Sequence, residues 1–201
     1  MTDATQPTAS PTPDDQSGKQ IWDPALRAFH WLLALSVTGA WLLGEFGPAK
    51  MTLHMFLGYF VIALLVFRVI WGLVGPANAR FVNFIKGPGA VWRYIRTLPS
   101  RETQYYPGHN PLGALSVVAL LLVLAAQVAT GLFLDPEDYL NIGPLAEMVS
   151  TAWNRFALGW HHRLGAVVLI LVVLHVGAIV FYKLWKKEDL VTPMITGRRK
   201  G

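Results

Sequence analysis

The 201-residue sequence contains no cysteine, and few of its residues are charged. The absence of cysteine excludes disulfide bonds, iron–sulfur clusters, thiolate metal sites and the covalent attachment of c-type haem. Only 14% of the residues are charged and 53% are hydrophobic, more apolar surface than a soluble domain of this length can bury. The net charge of +5 is spread between apolar runs and does not indicate binding to nucleic acid. Any metal site must therefore use histidine, carboxylate or methionine ligands.

The most prominent feature of the sequence is a set of long stretches without charged residues. Four such runs cover residues 28–44, 51–67, 103–134 and 164–182. A helix that crosses a bilayer needs about 20 apolar residues, and about 17 still suffice. The sequence therefore predicts an all-α, integral membrane four-helix bundle, with transmembrane helices over about 26–44, 53–75, 111–134 and 158–182.

The basic residues predict the orientation of these helices. All but three of the 17 lie in the N-terminal stretch, the connection between the second and third helices, and the C-terminal tail, counted with the adjoining helix ends. The exceptions are Lys50, Arg155 and Arg163. Because basic residues concentrate on the cytoplasmic side of a membrane, both termini are expected to be cytoplasmic. An even number of spans also requires the two termini to lie on the same side, so the two observations agree.

Three regions are predicted along the chain. Residues 1–20 are polar and rich in proline, which is typical of a disordered tail. Residues 21–186 form the transmembrane domain, and residues 187–201 form a basic cytoplasmic tail. The pattern of residues 88–98 indicates a short helix at the membrane interface. Another short helix, ending at Trp153, is expected within 135–157.

Histidines inside the spans indicate the chemistry, since ionisable groups there are rare and usually functional. On the predicted helices, His30 and His175 lie towards the cytoplasmic end. His54 lies near the outer end, with His161 or His162. Each level thus offers two imidazoles from different helices, an arrangement typical of bis-histidine iron in two haems. For a single histidine, an interhelical hydrogen bond is the simpler explanation.

The spacing on the fourth helix selects one of the two adjacent histidines. His161 and His175 are 14 residues apart, or four turns of a supercoiled helix, so they share a face. His162 points about 140° away from His175. We therefore assign the ligand role to His161. His162 is left either as a propionate or proton-exchange residue near the haem or as an interfacial side chain without a redox role.

Three further kinds of residue are candidates for haem binding or proton handling. Arg68 follows His54 by 14 residues, so it is predicted either to meet a propionate of the inner haem or to extend to the cytoplasmic interface. Gly58 and Gly165 each follow a candidate ligand by four residues. They either admit a flat macrocycle or serve ordinary helix packing. His109 precedes the third helix and is either a loop residue or a proton-handling group near a quinone.

Five stretches of the sequence resemble the bacterial cytochrome b561 family, which includes the cytochrome b subunits of nickel–iron hydrogenases. They are WDPALRAFHW at 22–31, HMFLGYFVIALLVFRVIWGLVGPANARF at 54–81, GHNPLGA at 108–114, HHRLGAVVLILVVLHV at 161–176 and LVTPMITGRRK at 190–200. The resemblance extends over roughly residues 20–200. Many members have a carboxylate where this chain has His162.

The resemblance implies a four-helix cytochrome of the bacterial inner membrane that holds two b-type haems non-covalently. By position, the family's iron ligands correspond to His30, His54, His161 and His175, the same four that the spacing indicates. Such proteins exchange electrons between the membrane quinone pool and a periplasmic partner, such as a c-type cytochrome or a hydrogenase-like subunit.

We therefore expect an electron-transfer subunit or quinone-reactive cytochrome of a respiratory chain rather than a stand-alone enzyme. The main alternative is a histidine-lined transporter for metal ions or protons, although such proteins usually carry carboxylates along the path and only Glu45 borders these spans. A structural membrane anchor is a second alternative. The sequence does not identify the partner, the direction of electron flow, the quinone site or the oligomeric state, and it leaves homo-oligomers open.

Overall fold

The computed structural model describes residues 20–47, 51–102, 104, 106, 108–135 and 141–199, and in these ranges it is all-helical. It contains no strand within them beyond an isolated bridge between Gln20 and Arg198. The α-helices of the described residues are α1 (Pro24–Phe46), α2 (Met51–Val74), α3 (Phe81–Phe84), α4 (Pro88–Thr97), α5 (Pro111–Gly131), α6 (Thr151–Phe181) and α7 (Val191–Thr196). The all-α prediction is confirmed. Except for Gln20, the predicted tail over 1–20 lies outside the described residues.

Four of these helices, α1, α2, α5 and α6, are long and apolar enough to cross a membrane. This confirms the prediction of four spans. Many of their large apolar side chains are exposed, including Leu35, Phe56, Leu73 and Leu122. Lipid chains would cover this surface in a bilayer, which explains the excess of apolar residues in the sequence.

Capping side chains determine where three of the spans begin. Asp23 accepts a hydrogen bond from the Leu26 amide (3.0 Å), Asn110 accepts one from the Gly113 amide (2.8 Å), and Ser150 caps α6. Each cap satisfies an amide that has no partner within the first helical turn.

Two helix ends in the structure differ from the predicted ones. The third span ends at Gly131 rather than 134, because the chain turns back there and the Leu145 amide bonds to the Leu132 carbonyl (2.9 Å). The fourth span begins at Thr151, seven residues earlier than predicted, because Ser150 supplies the cap. Trp153 consequently belongs to the first turn of α6, and the short element before it is one 3-10 turn, Ala146–Met148.

The bundle consists of two antiparallel pairs, α1 with α2 and α5 with α6, joined mainly by contact between α2 and α5. Val61, Leu65, Leu124 and Val168 form a buried cluster at its centre. Val61 lies seven residues from both His54 and Arg68, and Val168 lies seven residues from both His161 and His175. The apolar cluster thus separates two levels of polar residues along the same helix faces.

Short helices close one end of the bundle. The predicted interfacial helix over 88–98 is present as α4 (Pro88–Thr97). The Tyr94 and Tyr182 hydroxyls, 2.7 Å apart, join α4 to a wider π-helical turn that extends α6 over Tyr182–Lys186. At the same end, the Arg27 guanidinium donates to the Ile195 carbonyl of α7 (2.8 Å).

Candidate metal centres

The structure brings the candidate ligands together in two pairs, one at each level of the bundle. His54 of α2 and His161 of α6 form the outer pair, with ring centroids 6.1 Å apart. His30 of α1 and His175 of α6 form the inner pair, with ring centroids 6.4 Å apart. The names follow the orientation predicted from the sequence. Two imidazoles joined through one metal ion by bonds of about 2 Å have centroids roughly 6 Å apart, so both separations suit a shared metal.

Backbone carbonyls of neighbouring helices orient both rings of the outer pair. The Nδ1 atom of His54 lies 2.7 Å from the Ala40 carbonyl of α1, and the Nδ1 atom of His161 lies 3.0 Å from the Gln127 carbonyl of α5. A carbonyl only accepts hydrogen bonds, so each Nδ1 carries the proton and each Nε2 keeps a lone pair for a metal. The Gln127 amide donates to the His161 Nε2 (3.2 Å), which requires the same tautomer.

A glycine lies four residues after each of these two carbonyls. A Cβ atom on Gly44 would stand 3.3 Å from the His54 ring, and one on Gly131 would stand 3.2 Å from the Cε1 atom of His161. Both distances are tighter than ordinary contact. Because these glycines have no side chain, each imidazole can approach the carbonyl that lies one helical turn before the glycine. Neither glycine could be recognised from the sequence, because each lies on a different helix from the ligand that it touches.

The two glycines predicted to admit a macrocycle have different surroundings. A Cβ atom on Gly58 would meet nothing within 4 Å, so α2 has open space one turn from His54. A Cβ atom on Gly165 would lie 3.6 Å from the Gln127 amide nitrogen, which is ordinary contact. The open side of Gly58 is compatible with a flat ligand, and Gly165 packs against the amide that faces His161.

Arg68 lies at the inner end of the bundle and is 2% exposed. This burial argues against the alternative in which Arg68 extends to the membrane interface. Its guanidinium lies over the Phe81 ring, 4.4 Å from the centroid. Both terminal nitrogens are buried, and neither has a hydrogen-bond partner in the described part of the chain. Asp23 interacts electrostatically with this cation but does not bond to its terminal nitrogens. A buried cation without hydrogen-bond partners is costly, so this position suits a carboxylate such as a haem propionate.

His109, which the sequence left as a loop residue or a proton-handling group, also belongs to the inner end. Its ring lies between the rings of Trp22 (4.7 Å) and Phe84 (4.8 Å). Burial, followed by the positive charge of Arg68 and by His175 and His30, lowers the pKa of His109 to about 4. The side chain is therefore neutral at pH 7. Its position follows from these contacts with Trp22 and Phe84, which lie far enough away in the sequence that no local pattern reveals them.

His162 is exposed at the outer end of α6, whereas the adjacent His161 faces His54. The inner pair contributes another atom that lacks a partner, because the His30 Nδ1 is buried and unbonded among the described residues. Within these residues no three His, Cys, Asp or Glu side chains lie close enough to hold a metal ion, so each site offers a metal two imidazoles. That donor set, with the unpaired Arg68 guanidinium, fits haem.

One known protein family and several known proteins are similar to this chain. The prokaryotic cytochrome b561 family matches residues 21–197. Three similar proteins are each named a probable Ni/Fe-hydrogenase B-type cytochrome subunit. That of Rhizobium leguminosarum bv. viciae is 24% identical, over 89% of this chain and 87% of its own. That of Bradyrhizobium diazoefficiens is 24% identical over 100% and 99%, and that of Cupriavidus necator is 23% identical over 91% and 89%.

No solved structure matches the chain. The family match covers nearly all of the sequence, including the four helices and both histidine pairs. The chain therefore belongs to the prokaryotic cytochrome b561 family and is a membrane-spanning, b-type haem electron-transfer protein.

Proposed function

We propose that this protein carries electrons across the bacterial inner membrane, between a periplasmic redox partner and the quinone pool. Two b-type haems would serve this transfer, one held by His54 and His161 on the periplasmic side and one by His30 and His175 on the cytoplasmic side. The observation that carries the proposal is the presence of two facing imidazole pairs, 6.1 Å and 6.4 Å apart, at two depths of one bundle.

The two depths suit transfer across a bilayer. His161 and His175 are 14 residues apart on α6, which corresponds to roughly 21 Å along the helix axis. The apolar core of a bilayer is about 30 Å thick, so two sites at this spacing divide the crossing into shorter steps. Val61 and Val168 pack between the two levels and keep water and ions out of the middle of the bundle.

The surrounding residues would hold and tune each site. Haem supplies reversible one-electron chemistry, and two imidazoles for each iron leave no coordination position for a substrate. The Ala40 and Gln127 carbonyls fix the rings of the outer pair and make those ligands more basic. Arg68 would neutralise a propionate of the inner haem and so stabilise the added electron there.

The names of the relatives support a proposal for the redox partners. Because several relatives are named hydrogenase cytochrome subunits, we propose a hydrogenase-like subunit or a c-type cytochrome as the periplasmic partner. Quinone would exchange electrons and protons with one of the haems. The protein would then act as the electron-transfer subunit of a respiratory complex rather than as a stand-alone enzyme.

The reduced-minus-oxidised visible spectrum of the purified protein, together with its haem content, tests this proposal. We expect a b-type α band, two haems per chain and oxidation of the reduced protein by a soluble quinone. The His162→Ala variant is a matched control because it removes an exposed imidazole next to a proposed ligand, and it should keep both haems. One haem per chain, or a reduced protein that quinone does not oxidise, would contradict the proposal.

A further inference from the structure

A cavity lined mainly by polar and basic residues lies at the end of the bundle that contains the inner pair. Its volume is about 460 Å³, and α4 forms one wall with Ala90, Arg93, Tyr94 and Thr97. These positions follow an i, i+3, i+4, i+7 pattern and so lie on one face of the helix. Pro111, the first residue of α5, lines the opposite side. Because α5 enters the bilayer there, the cavity lies at the depth of the lipid headgroups.

The cavity is lined by hydrogen-bond donors and positive charge. Lys86 and Arg93 stand in its wall, and no carboxylate is among its lining residues in the described part of the chain. Lys86 gives one hydrogen bond to the Asn83 carbonyl (3.0 Å), which leaves two of its ammonium protons available. The Gln104 side-chain oxygen accepts a hydrogen bond from the Tyr106 hydroxyl (3.0 Å), and its NH₂ group, which bonds to no acceptor in the described part of the chain, can donate to a ligand.

The α4 wall, which carries Arg93, is anchored to the extension of α6. Tyr94 is buried and bonds to the Tyr182 hydroxyl of α6 (2.7 Å). The buried Lys186 donates to the carbonyls of Thr97 (3.0 Å), Ser100 and Glu102 (3.1 Å), which fixes the end of α4. The backbone that carries the exposed Arg93 side chain is therefore held in place without a bound ligand, and a site that is partly formed in advance loses less entropy on binding.

The opposite face of α4 indicates what lies beside the cavity. Trp92 and Ile95 are exposed there, as in helices that rest in the headgroup region of a membrane. Arg96 lies on that face too, with its guanidinium over the Trp92 ring at 5.1 Å, and it does not line the cavity. The cavity thus opens where anionic phospholipids present their phosphates. Basic pockets at the ends of membrane helices bind such groups.

We propose that this cavity binds a phosphate anion, supplied by the headgroup of an anionic phospholipid, with Lys86 and Arg93 as the charged contacts. Arg93 would donate in the paired geometry that guanidinium groups form with phosphate oxygens. Lys86 would act as a second positive charge, and Gln104 would add a neutral donor. The site is separate from the haem pairs and does not depend on the proposed electron-transfer route.

Native mass spectrometry of the full-length protein, stripped of lipid in detergent, tests the site. Short-chain phosphatidylglycerol should bind more tightly than phosphatidylcholine of the same chain length. Each basic residue near an anionic headgroup contributes roughly fivefold in affinity. The Lys86→Gln/Arg93→Gln double variant should therefore bind phosphatidylglycerol about 30-fold more weakly. The Arg96→Gln variant removes one charge from the other face of α4 and should bind like the wild type.

Inorganic phosphate distinguishes the two sources of the anion. Displacement of phosphatidylglycerol only by other anionic lipids identifies the headgroup, and equal displacement by millimolar phosphate identifies a soluble phosphate at the same residues. Equal binding of the two lipids, or an Arg96→Gln loss as large as that of the double variant, would overturn the proposal. Unchanged helix content by circular dichroism and unchanged haem content show that the variants are folded.

Discussion

The outer and inner histidine pairs have similar ring separations but differ in how their polar atoms are satisfied. At the outer pair, each Nδ1 atom bonds to a backbone carbonyl, and Gln127 faces the remaining nitrogen of His161. At the inner pair, the His30 Nδ1 and both terminal nitrogens of Arg68 are buried without partners among the described residues. Near the outer pair, the Gln127 Oε1 atom is also buried without a partner in the described residues. The outer rings themselves are nevertheless oriented by the protein alone, whereas at the inner site a ring nitrogen and the neighbouring cation need a bound group to satisfy them.

This difference predicts unequal dependence on the cofactor. Buried polar groups without partners cost free energy, so the inner end of the bundle should open more readily when haem is absent. Hydrogen exchange of the apoprotein and the holoprotein should show a larger gain of protection on haem binding around His30 and Arg68 than around His54 and His161. Equal gains of protection around the two histidine pairs would show that both sites depend on haem to the same extent.

The largest expected effect concerns which side of the membrane each end faces. Thr196 lies in α7, at the end near the inner pair, and Met148 is 76% exposed near the outer pair. Because the chain has no native cysteine, Thr196→Cys and Met148→Cys each introduce a single thiol. An impermeant reagent should label only Met148→Cys from the periplasm and only Thr196→Cys after the cytoplasmic side is opened. The reverse labelling would show that the predicted orientation is wrong and that the pair named inner faces the periplasm.

Removal of one proposed ligand should remove one haem. The His54→Ala and His161→Ala variants should lose the outer haem, and His30→Ala and His175→Ala should lose the inner haem, because one imidazole holds the iron less tightly than two. Haem per chain, measured as the pyridine haemochrome, should fall by about half in each case. A variant with unchanged haem content would exclude that residue as a ligand.

Replacement of Arg68 should change a reduction potential without removing haem. A nearby positive charge stabilises the added electron, so Arg68→Ala should lower the potential of the inner haem. The shift should be on the order of tens of millivolts, since about 1.4 kcal/mol corresponds to about 59 mV for one electron. The outer haem of the same protein is the internal control. Equal shifts of both potentials would argue against a local role for Arg68.

Substitution of Gly131 should have the smallest effect. A Cβ atom there would press on the His161 ring at 3.2 Å and weaken its hydrogen bond to the Gln127 carbonyl. A less basic ligand favours the reduced iron, so Gly131→Ala should raise the outer potential slightly and leave the inner one unchanged. Gly159→Ala, whose new methyl group would lie 3.8 Å from the Arg163 side chain, is the matched control on α6. If the outer potential is the same in the two variants, Gly131 does not position the His161 ring.

The features that the sequence predicted are those with a local or periodic origin. Apolar runs mark the four spans because the bilayer acts on each segment separately, and seven-residue multiples placed His161 and His175 on one face. The start of α6 at Thr151 was missed because Arg155 and Arg163 interrupt the apolar run, although a helix can extend beyond the membrane with charged residues. Gly44 and Gly131 were missed, and the burial of His109 was not foreseen, because these features arise from contacts between distant segments, which leave no period in the sequence.

A potentiometric titration of the purified protein, followed at the α band, tests the central claim most directly. If two haems lie in unlike surroundings, the wild type should titrate in two one-electron steps. The His161→Ala variant should lose one step, and the His175→Ala variant should lose the other. A single step in the wild type, or loss of the same step in both variants, would contradict the assignment of one haem to each histidine pair.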